Sequence, residues 1–369
     1  MVPDGFKVSV DAGAVIVGGG LIGASAALAI ADAGGHVQLL TRPRAGAASE
    51  AAAGMLAPSM ELARTDIREL ATASRDLFPG FVRQLGERTG TTIELNRAGL
   101  LQLAADAADA EHLANSTRGR AQWLDSDEVR RVEPRLAAGH GAAFWPHDGA
   151  VNNTQLLAAL HAALRSHENV VIHHAAATSL TAAAREVTVL TDDGTRLAGT
   201  HAVVAAGAWS GQLRGAALAT AIEPVRGQLV EFDREVLTHV VYGPDCYLVP
   251  RGGCTIAGST MERVGFDAGT TADGITRLTA AALALCPPLR GAQTRSWGGL
   301  RPVTPDLLPQ VGPDPANPAV IYACGHSRNG VLLAPLTAML VRKMVFEESL
   351  TFDISRFRPE RFANTFPVT

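Results

Sequence analysis

The sequence predicts an α/β protein in which a Rossmann-like dinucleotide-binding domain carries an inserted antiparallel β-sheet domain. Three stretches lead to this. Residues 14–23, Ala-Val-Ile-Val-Gly-Gly-Gly-Leu-Ile-Gly, read as a buried strand, a glycine turn and the start of a helix. Residues 36–40 supply a second strand on schedule, completing a βαβ opening of about 30 residues. Residues 223–259 are instead dense in short alternating strands, the texture of an antiparallel sheet.

In the opening unit the G-x-G-x-x-G spacing falls on Gly18, Gly20 and Gly23. Gly18 permits the tight turn, Gly20 lets backbone approach a pyrophosphate, and Gly23 lets the helix pack close to the strand. The helix over 24–33, entered through Leu21 and Ile22, turns free N–H groups and a positive dipole end toward the phosphates. Ahead of it, residues 1–13 hold Asp4, Lys7 and Asp11 without an apolar signal core, and read as a loose extension.

Composition narrows the function classes. A formal charge of −4 carries no basic surplus, which argues against nucleic acid or an anionic membrane as partner. No run of 18 apolar residues is present, so nothing reads as a membrane span. The scattered Cys246, Cys254, Cys286 and Cys324 form no C-x-x-C pair, which argues against zinc or a disulfide framework and fits the cytoplasm. His173 and His174 alternate across a strand and cannot chelate together, so no metal is expected.

Further along, residues 43–58 are small and almost free of bulky side chains, suiting a flexible backbone that lies against a large flat ligand. A helix over 67–86 follows from Leu70, Leu77, Phe81 and Leu85, and a charged one over 125–132. Residues 97–103 read as a turn and strand and 141–145 as another, 151–154 as the cap of a helix over 155–166, and 170–173 as a strand. Strands 186–191 and 196–199 flank the hairpin signal Asp193-Gly194, and 201–210 is a buried strand running into Gly207. In the antiparallel block the strands are 224–233, 242–250 and 254–258, then a helix over 273–286. Strands 310–312 and 320–324 precede a long helix over 330–347 with Leu332, Leu333, Leu336, Leu340 and Met344 on its packing face. The expected nucleotide domain is 14–90, 150–215 and 300–369, and the substrate domain is 91–149 and 216–299.

The fingerprint expects an acid at the end of the second strand for a ribose hydroxyl. Thr41 stands there, followed by Arg42. An arginine without the acid suggests NADP, because guanidinium pairs with a 2′-phosphate. The alternative is FAD, with Thr41 or backbone replacing the carboxylate. The small-residue loop and the glycine-rich return Gly325-His326-Ser327-Arg328-Asn329-Gly330 favour FAD, since a second helix N-terminus aimed at a flavin would stabilise its anionic reduced ring.

Seven stretches, 15–23, 51–58 (AAAGMLAP), 203–210 (VVAAGAWS), 247–251 (YLVPR), 258–261, 297–305 (WGGLRPVTP) and 325–335 (GHSRNGVLLAP), occur in the order found in one family. The chain resembles the FAD-dependent D-amino-acid oxidase superfamily and, through the last two stretches, its glycine oxidase branch. The resemblance implies a GR2-type FAD-binding domain and non-covalent FAD, since 298–304 lacks the cysteine that bonds the flavin in related sarcosine oxidases. It assigns FAD contacts to Gly18, Gly20, Leu21, Ile22, Gly23, Thr41, Arg42, Ala48, Ser49, Ala53, Gly54, Met55, Ala177, Gly207, His326, Ser327, Arg328, Asn329, Gly330, Val331 and Leu332.

On the substrate side the resemblance implies that Arg301, in a Gly-Leu-Arg-Pro turn, and Tyr247 take the amino-acid carboxylate. Arg328 touches substrate and flavin, and Met261 lies above the flavin, although a core methionine would read the same way. The implied reaction passes hydride from the glycine Cα to flavin N5 and gives glyoxylate, ammonia and, with O2, hydrogen peroxide. The resemblance also implies sarcosine and small D-amino acids as further substrates, a product that feeds the thiazole of thiamine, and a homotetrameric assembly. Two residues depart from the family pattern: Asp245, where a histidine can stand, and Thr41. The competing readings are an amine dehydrogenase with another electron acceptor, and a nucleotide-binding module without turnover.

Overall fold

The computed structural model describes residues 13–61, 65–137, 139–183 and 186–363. The extension read over 1–13 therefore lies outside the described residues except for Gly13, which opens the first strand, Gly13–Val17.

Among the described residues the strands form four sheets. The first has the order Gln310–Pro313, Val320–Cys324, His201–Val204, Gly13–Val17, His36–Leu40, Val170–His173. Its neighbours are parallel except the antiparallel pair at the Gln310–Pro313 edge. A parallel sheet must be covered on both faces, and strand alternation divides its side chains accordingly. Ile16, Leu39, Val203 and Ile321 enter one core with the helices α1 (Leu21–Asp32), α2 (Thr65–Thr89), α3 (Asn153–Arg165) and α4 (Ala334–Val345). Val15, Val17, Val204 and Tyr322 enter another, beneath an antiparallel meander of Ala177–Ala183, Glu186–Thr191 and Arg196–Gly199.

The second large sheet runs Thr294–Val303, Glu223–Phe232, Cys254–Gly258, Tyr247–Arg251, Val240–Tyr242, Leu100–Leu103, Ala142–Trp145, Gln122–Leu124. Its pairs are antiparallel apart from Val240–Tyr242 beside Leu100–Leu103. The strand expected over 242–250 is two strands of a hairpin, closed by Gly243 N–H donating to the Cys246 carbonyl at 2.9 Å. A small sheet of Met55–Leu56, Gly149–Val151 and Leu95–Asn96 completes the set.

Two expectations are corrected. Arg301 does not sit in a turn: it belongs to the ten-residue strand Thr294–Val303, which lies at the edge of its sheet and so tolerates Pro302. The helix expected over 330–347 begins at Ala334, after a 3₁₀ turn at Ser327–Asn329. The buried Ser74 hydroxyl of α2 explains the late start: it donates to the Leu332 carbonyl at 2.6 Å and accepts from Leu336 N–H at 3.3 Å. The turn is tied to a neighbouring helix instead of winding on.

Candidate active site

A cleft of about 630 Å3 opens where the carboxyl ends of the parallel strands meet the antiparallel sheet, the position at which open α/β folds take their ligands. Its walls collect almost every residue singled out from the sequence: Gly18, Gly20, Leu21, Ile22, Arg42, Ala48, Ser49, Ala53, Gly54, Met55, Ala177, Gly207 and 326–332 from one side, with Tyr247, Met261, Arg301 and Arg328. Gly23 and Thr41 are not on the wall. Gly23 sits behind the turn, where a Cβ would lie 1.8 Å from the Gly18 carbonyl oxygen. Thr41 faces Gly19, with its hydroxyl 2.3 Å from where a Gly19 Cβ would be. Its side chain packs against the glycine turn.

The nucleotide side of the cleft is built by leaving atoms out. Gly18 has φ +115°, a left-handed conformation, and a Cβ there would meet the Ala205 carbonyl oxygen at 2.4 Å. A Cβ on Gly20 would meet the Ser49 hydroxyl at 2.8 Å. That hydroxyl accepts from Leu21 N–H at 2.9 Å, at the N-terminus of α1. A backbone bared in this way, at the positive end of a twelve-residue helix, fits the pyrophosphate of a dinucleotide.

The small-residue segment after the second strand is braced, not flexible. The Asn153 amide donates to the Ser49 carbonyl at 2.7 Å, and Arg251 Nη1 donates to the Ala52 carbonyl at 3.1 Å and to Asn153 Oδ1. The Trp297 indole donates to the Ala51 carbonyl at 2.9 Å, and Val151 N–H donates to the Gly54 carbonyl at 2.9 Å. His161 of α3 meets the Gly19 carbonyl at 2.7 Å, holding the glycine turn from below. Sequence reading missed Asn153, His161, Arg251 and Ser74, because each acts on a loop more than 95 residues away in the chain.

The facing side is built from two polar side chains, one charged and one neutral, lodged in space that glycines vacate. The Arg301 guanidinium lies over Gly227, where a Cβ would come within 2.2 Å of Nη1. It donates to the Thr260 carbonyl at 3.1 Å and to the Ser259 hydroxyl. The Tyr247 hydroxyl lies over Gly258, 2.4 Å from where a Cβ would be. Burial pushes the Tyr247 phenol above its ordinary pKa, and the Arg301 cation opposes this. Tyr247 is therefore a neutral hydroxyl beside a cation, a pair suited to a carboxylate.

Around these, Arg328 Nη2 donates to the Met60 carbonyl at 3.1 Å. Met261 is 65% exposed at the cleft, which sets aside the core reading for it. Asp245 is the acid among the charged wall residues, with Arg42, Arg44, Arg301 and Arg328. Arg42 is engaged by Asp192, and Arg44 lies 5.1 Å over the Trp209 ring. His326, buried and bonded to the Thr337 hydroxyl at 3.1 Å, is lowered to about 3 by desolvation and is neutral at ordinary pH. Burial likewise pushes the wall thiols of Cys246 and Cys324 up to about 12, so neither is a thiolate.

Comparison with known proteins agrees with this geometry. The family model "FAD dependent oxidoreductase" (DAO) matches residues 14–344. The glycine oxidase of Geobacillus kaustophilus is 35% identical over 358 residues, covering 93% of this chain and 95% of that protein. The bifunctional protein ThiO/ThiG of a Synechocystis strain is 35% identical over 365 residues; the alignment takes in 95% of this chain but 54% of that protein's length. The crystal structure of the Geobacillus kaustophilus glycine oxidase superposes with a TM-score of 0.89 at 34% identity, covering 94% of this chain and 98% of that one. No helix among the described residues is long and apolar enough to cross a membrane. By the match over residues 14–344 and the likeness to the Geobacillus kaustophilus protein, the chain belongs to the DAO family of FAD dependent oxidoreductases, in the company of its glycine oxidases.

Proposed function

We propose that the chain oxidises glycine to the imine, which water hydrolyses to glyoxylate and ammonia, and that sarcosine and small D-amino acids are further substrates, each passing through its own imine to the corresponding oxo acid and amine or ammonia. The observation that carries this is the Arg301–Tyr247 pair facing the dinucleotide cradle across one cleft. FAD, when bound, removes two electrons from the amine carbon and hands them to O2, giving hydrogen peroxide. Arg301 takes the substrate carboxylate, and Tyr247 adds a neutral donor, so that the Cα–H bond has one orientation. Arg328 and Met261 close the space around the amine, and Asp245 sets a negative charge among the arginines.

FAD sits non-covalently, in keeping with two wall cysteines held as thiols. Residues 14–90, 150–215 and 300–369 chiefly serve the cofactor, with Arg301 and Arg328 reaching from them to the substrate. Residues 91–149 and 216–299 supply the rest of the substrate side, joined through the strand Thr294–Val303 that crosses the boundary. The likeness to a ThiO/ThiG protein supports a role in supplying the thiazole branch of thiamine biosynthesis, and the family resemblance supports a cytoplasmic homotetramer. The test is anaerobic titration of the yellow protein with glycine, sarcosine and D-alanine, followed by admission of air. Bleaching by glycine and stoichiometric peroxide are expected. No bleaching by any of the three overturns the reading, and bleaching without peroxide replaces O2 by another acceptor.

A further inference from the structure

A polar cluster just outside the cleft is not used by the chemistry above. Asp148 lies in the turn between the strands Ala142–Trp145 and Gly149–Val151 and is 2% exposed. Its Oδ2 accepts from the Ser59 backbone N–H at 3.3 Å and from the Ser59 hydroxyl, and its Oδ1 accepts from Arg75 Nη1 of α2 at 3.2 Å. A carboxylate this buried carries a large desolvation cost, which raises its pKa against the pull of Arg75 and Ser59. A surface turn could have been closed without it.

What the carboxylate holds is the 3₁₀ turn Pro58–Glu61. The turn's outer side is Ser59, 5% exposed against Asp148. Its other side is cleft wall, through Ala57 and Met60. The Met60 carbonyl is the acceptor for Arg328 Nη2 at 3.1 Å, and Met60 N–H closes the turn on the Ala57 carbonyl at 3.1 Å. The Asp148 end is itself fixed, since the adjoining Gly149 pairs with Leu56 and a Cβ on Gly149 would lie 2.1 Å from the Asn96 carbonyl oxygen. A continuous path thus runs from α2 through Arg75, Asp148, Ser59 and Met60 to the guanidinium of Arg328.

We propose that Asp148 is a positioning residue for substrate binding: by anchoring the Pro58–Glu61 turn it fixes the Met60 carbonyl, and that carbonyl aims Arg328 into the cleft. This rests on the reading of Arg328 as a substrate-side arginine. Asp148 is not on the cleft wall, so its loss should appear in KM and not in the chemical step.

The experiment is a double-mutant cycle on the FAD-loaded enzyme with Asp148→Ala, Arg328→Ala and the pair. Steady-state glycine kinetics are read together with the affinity for acetate, a non-reacting carboxylate followed by the flavin absorbance change. Asp148→Ala should raise KM for glycine and the acetate Kd about tenfold while kcat and FAD affinity change less than about twofold. In the Arg328→Ala background the same substitution should do almost nothing further. Asp148→Asn, which keeps an acceptor for the Ser59 hydroxyl, should recover part of the loss. Ser59→Ala should reproduce a weaker form of it and serves as the informative variant if Asp148→Ala does not fold. Additive effects of Asp148→Ala and Arg328→Ala, or an unchanged KM in both Asp148→Ala and Ser59→Ala, overturn the proposal. An unchanged KM in Arg328→Ala alone overturns it differently, by removing the substrate role of Arg328.

Discussion

The two sides of the cleft solve opposite problems with the same residue. At the nucleotide side glycine exposes backbone: Gly18 and Gly20 bring main-chain groups to the surface of the cleft, and the dipole of α1 supplies the charge. At the substrate side glycine makes room for side chains: Gly227 and Gly258 leave the hollows in which the Arg301 guanidinium and Tyr247 ring lie. The first design recognises a polyanion through many weak donors and tolerates changes in surrounding side chains. The second offers a few strong groups, suited to one small carboxylate, so single atoms matter more.

That contrast can be attacked from either side. The largest effect is expected from Arg301→Ala, which should lower kcat/KM for glycine by about 1,000-fold, the cost of removing charge-assisted hydrogen bonds from a carboxylate site, with FAD affinity unchanged by fluorescence titration. Gly18→Ala should do the reverse: a Cβ 2.4 Å from the Ala205 carbonyl oxygen forces the turn apart, and FAD should bind at least about 100-fold more weakly, with a largely colourless purified protein. Gly227→Ala tests whether the substrate side depends on absent atoms; the Arg301 head must move, and kcat/KM should fall about 30-fold with FAD retained. Tyr247→Phe, which removes one neutral donor and leaves the guanidinium, should cost about tenfold, mostly in KM. If Gly227→Ala proves harmless while Gly18→Ala is not, the two sides do not share a design.

The smallest effect concerns His326, a buried residue of the nucleotide-side wall. Its native pKa of about 3 lies below its ordinary 6.5, so the unfolded chain takes up the proton first. Its contribution to stability is present above pH 6.5 and is lost as pH falls toward about 3. Urea midpoints should therefore fall less steeply with acid in His326→Gln than in the wild type. No His326 titration should appear in kcat/KM near neutral pH.

How much of this was legible in the sequence follows the same division. Gly18, Gly20 and Gly23 announce themselves because a left-handed turn and a close helix–strand approach admit no other residue at that spacing. The strand His36–Leu40 was read to the residue because alternation and the adjoining Gly34-Gly35 bound it on one side. Arg301 and Tyr247 became visible through resemblance, since an arginine between Leu300 and Pro302 carries no signal of its own, and Pro302 disguised an edge strand as a turn. The start of α4 was misread because Leu332 and Leu333 keep helical spacing, while the Ser74 hydroxyl that diverts the backbone comes from 258 residues earlier. Asn153, Arg251, His161 and Asp148 are likewise polar residues whose meaning lies in a distant carbonyl or hydroxyl. Local pattern records what a segment does to itself, not which loop it supports.

The strand Thr294–Val303 acts as a ruler between the two chemistries. Along its length Trp297 meets Ala51, Leu300 N–H donates to the Gly46 carbonyl at 2.8 Å, Arg301 reaches the substrate space and Val303 bridges to His326. Every graduation is set by the ladder with Glu223–Phe232. A slip of one residue would turn Arg301 to the other face, and a slip of two would restore its face but carry the guanidinium about 7 Å along the sheet. The distance from the Arg301 guanidinium to the loop at His326 is thus counted in peptide units, and loops beyond either end can lengthen or shorten without altering the measurement.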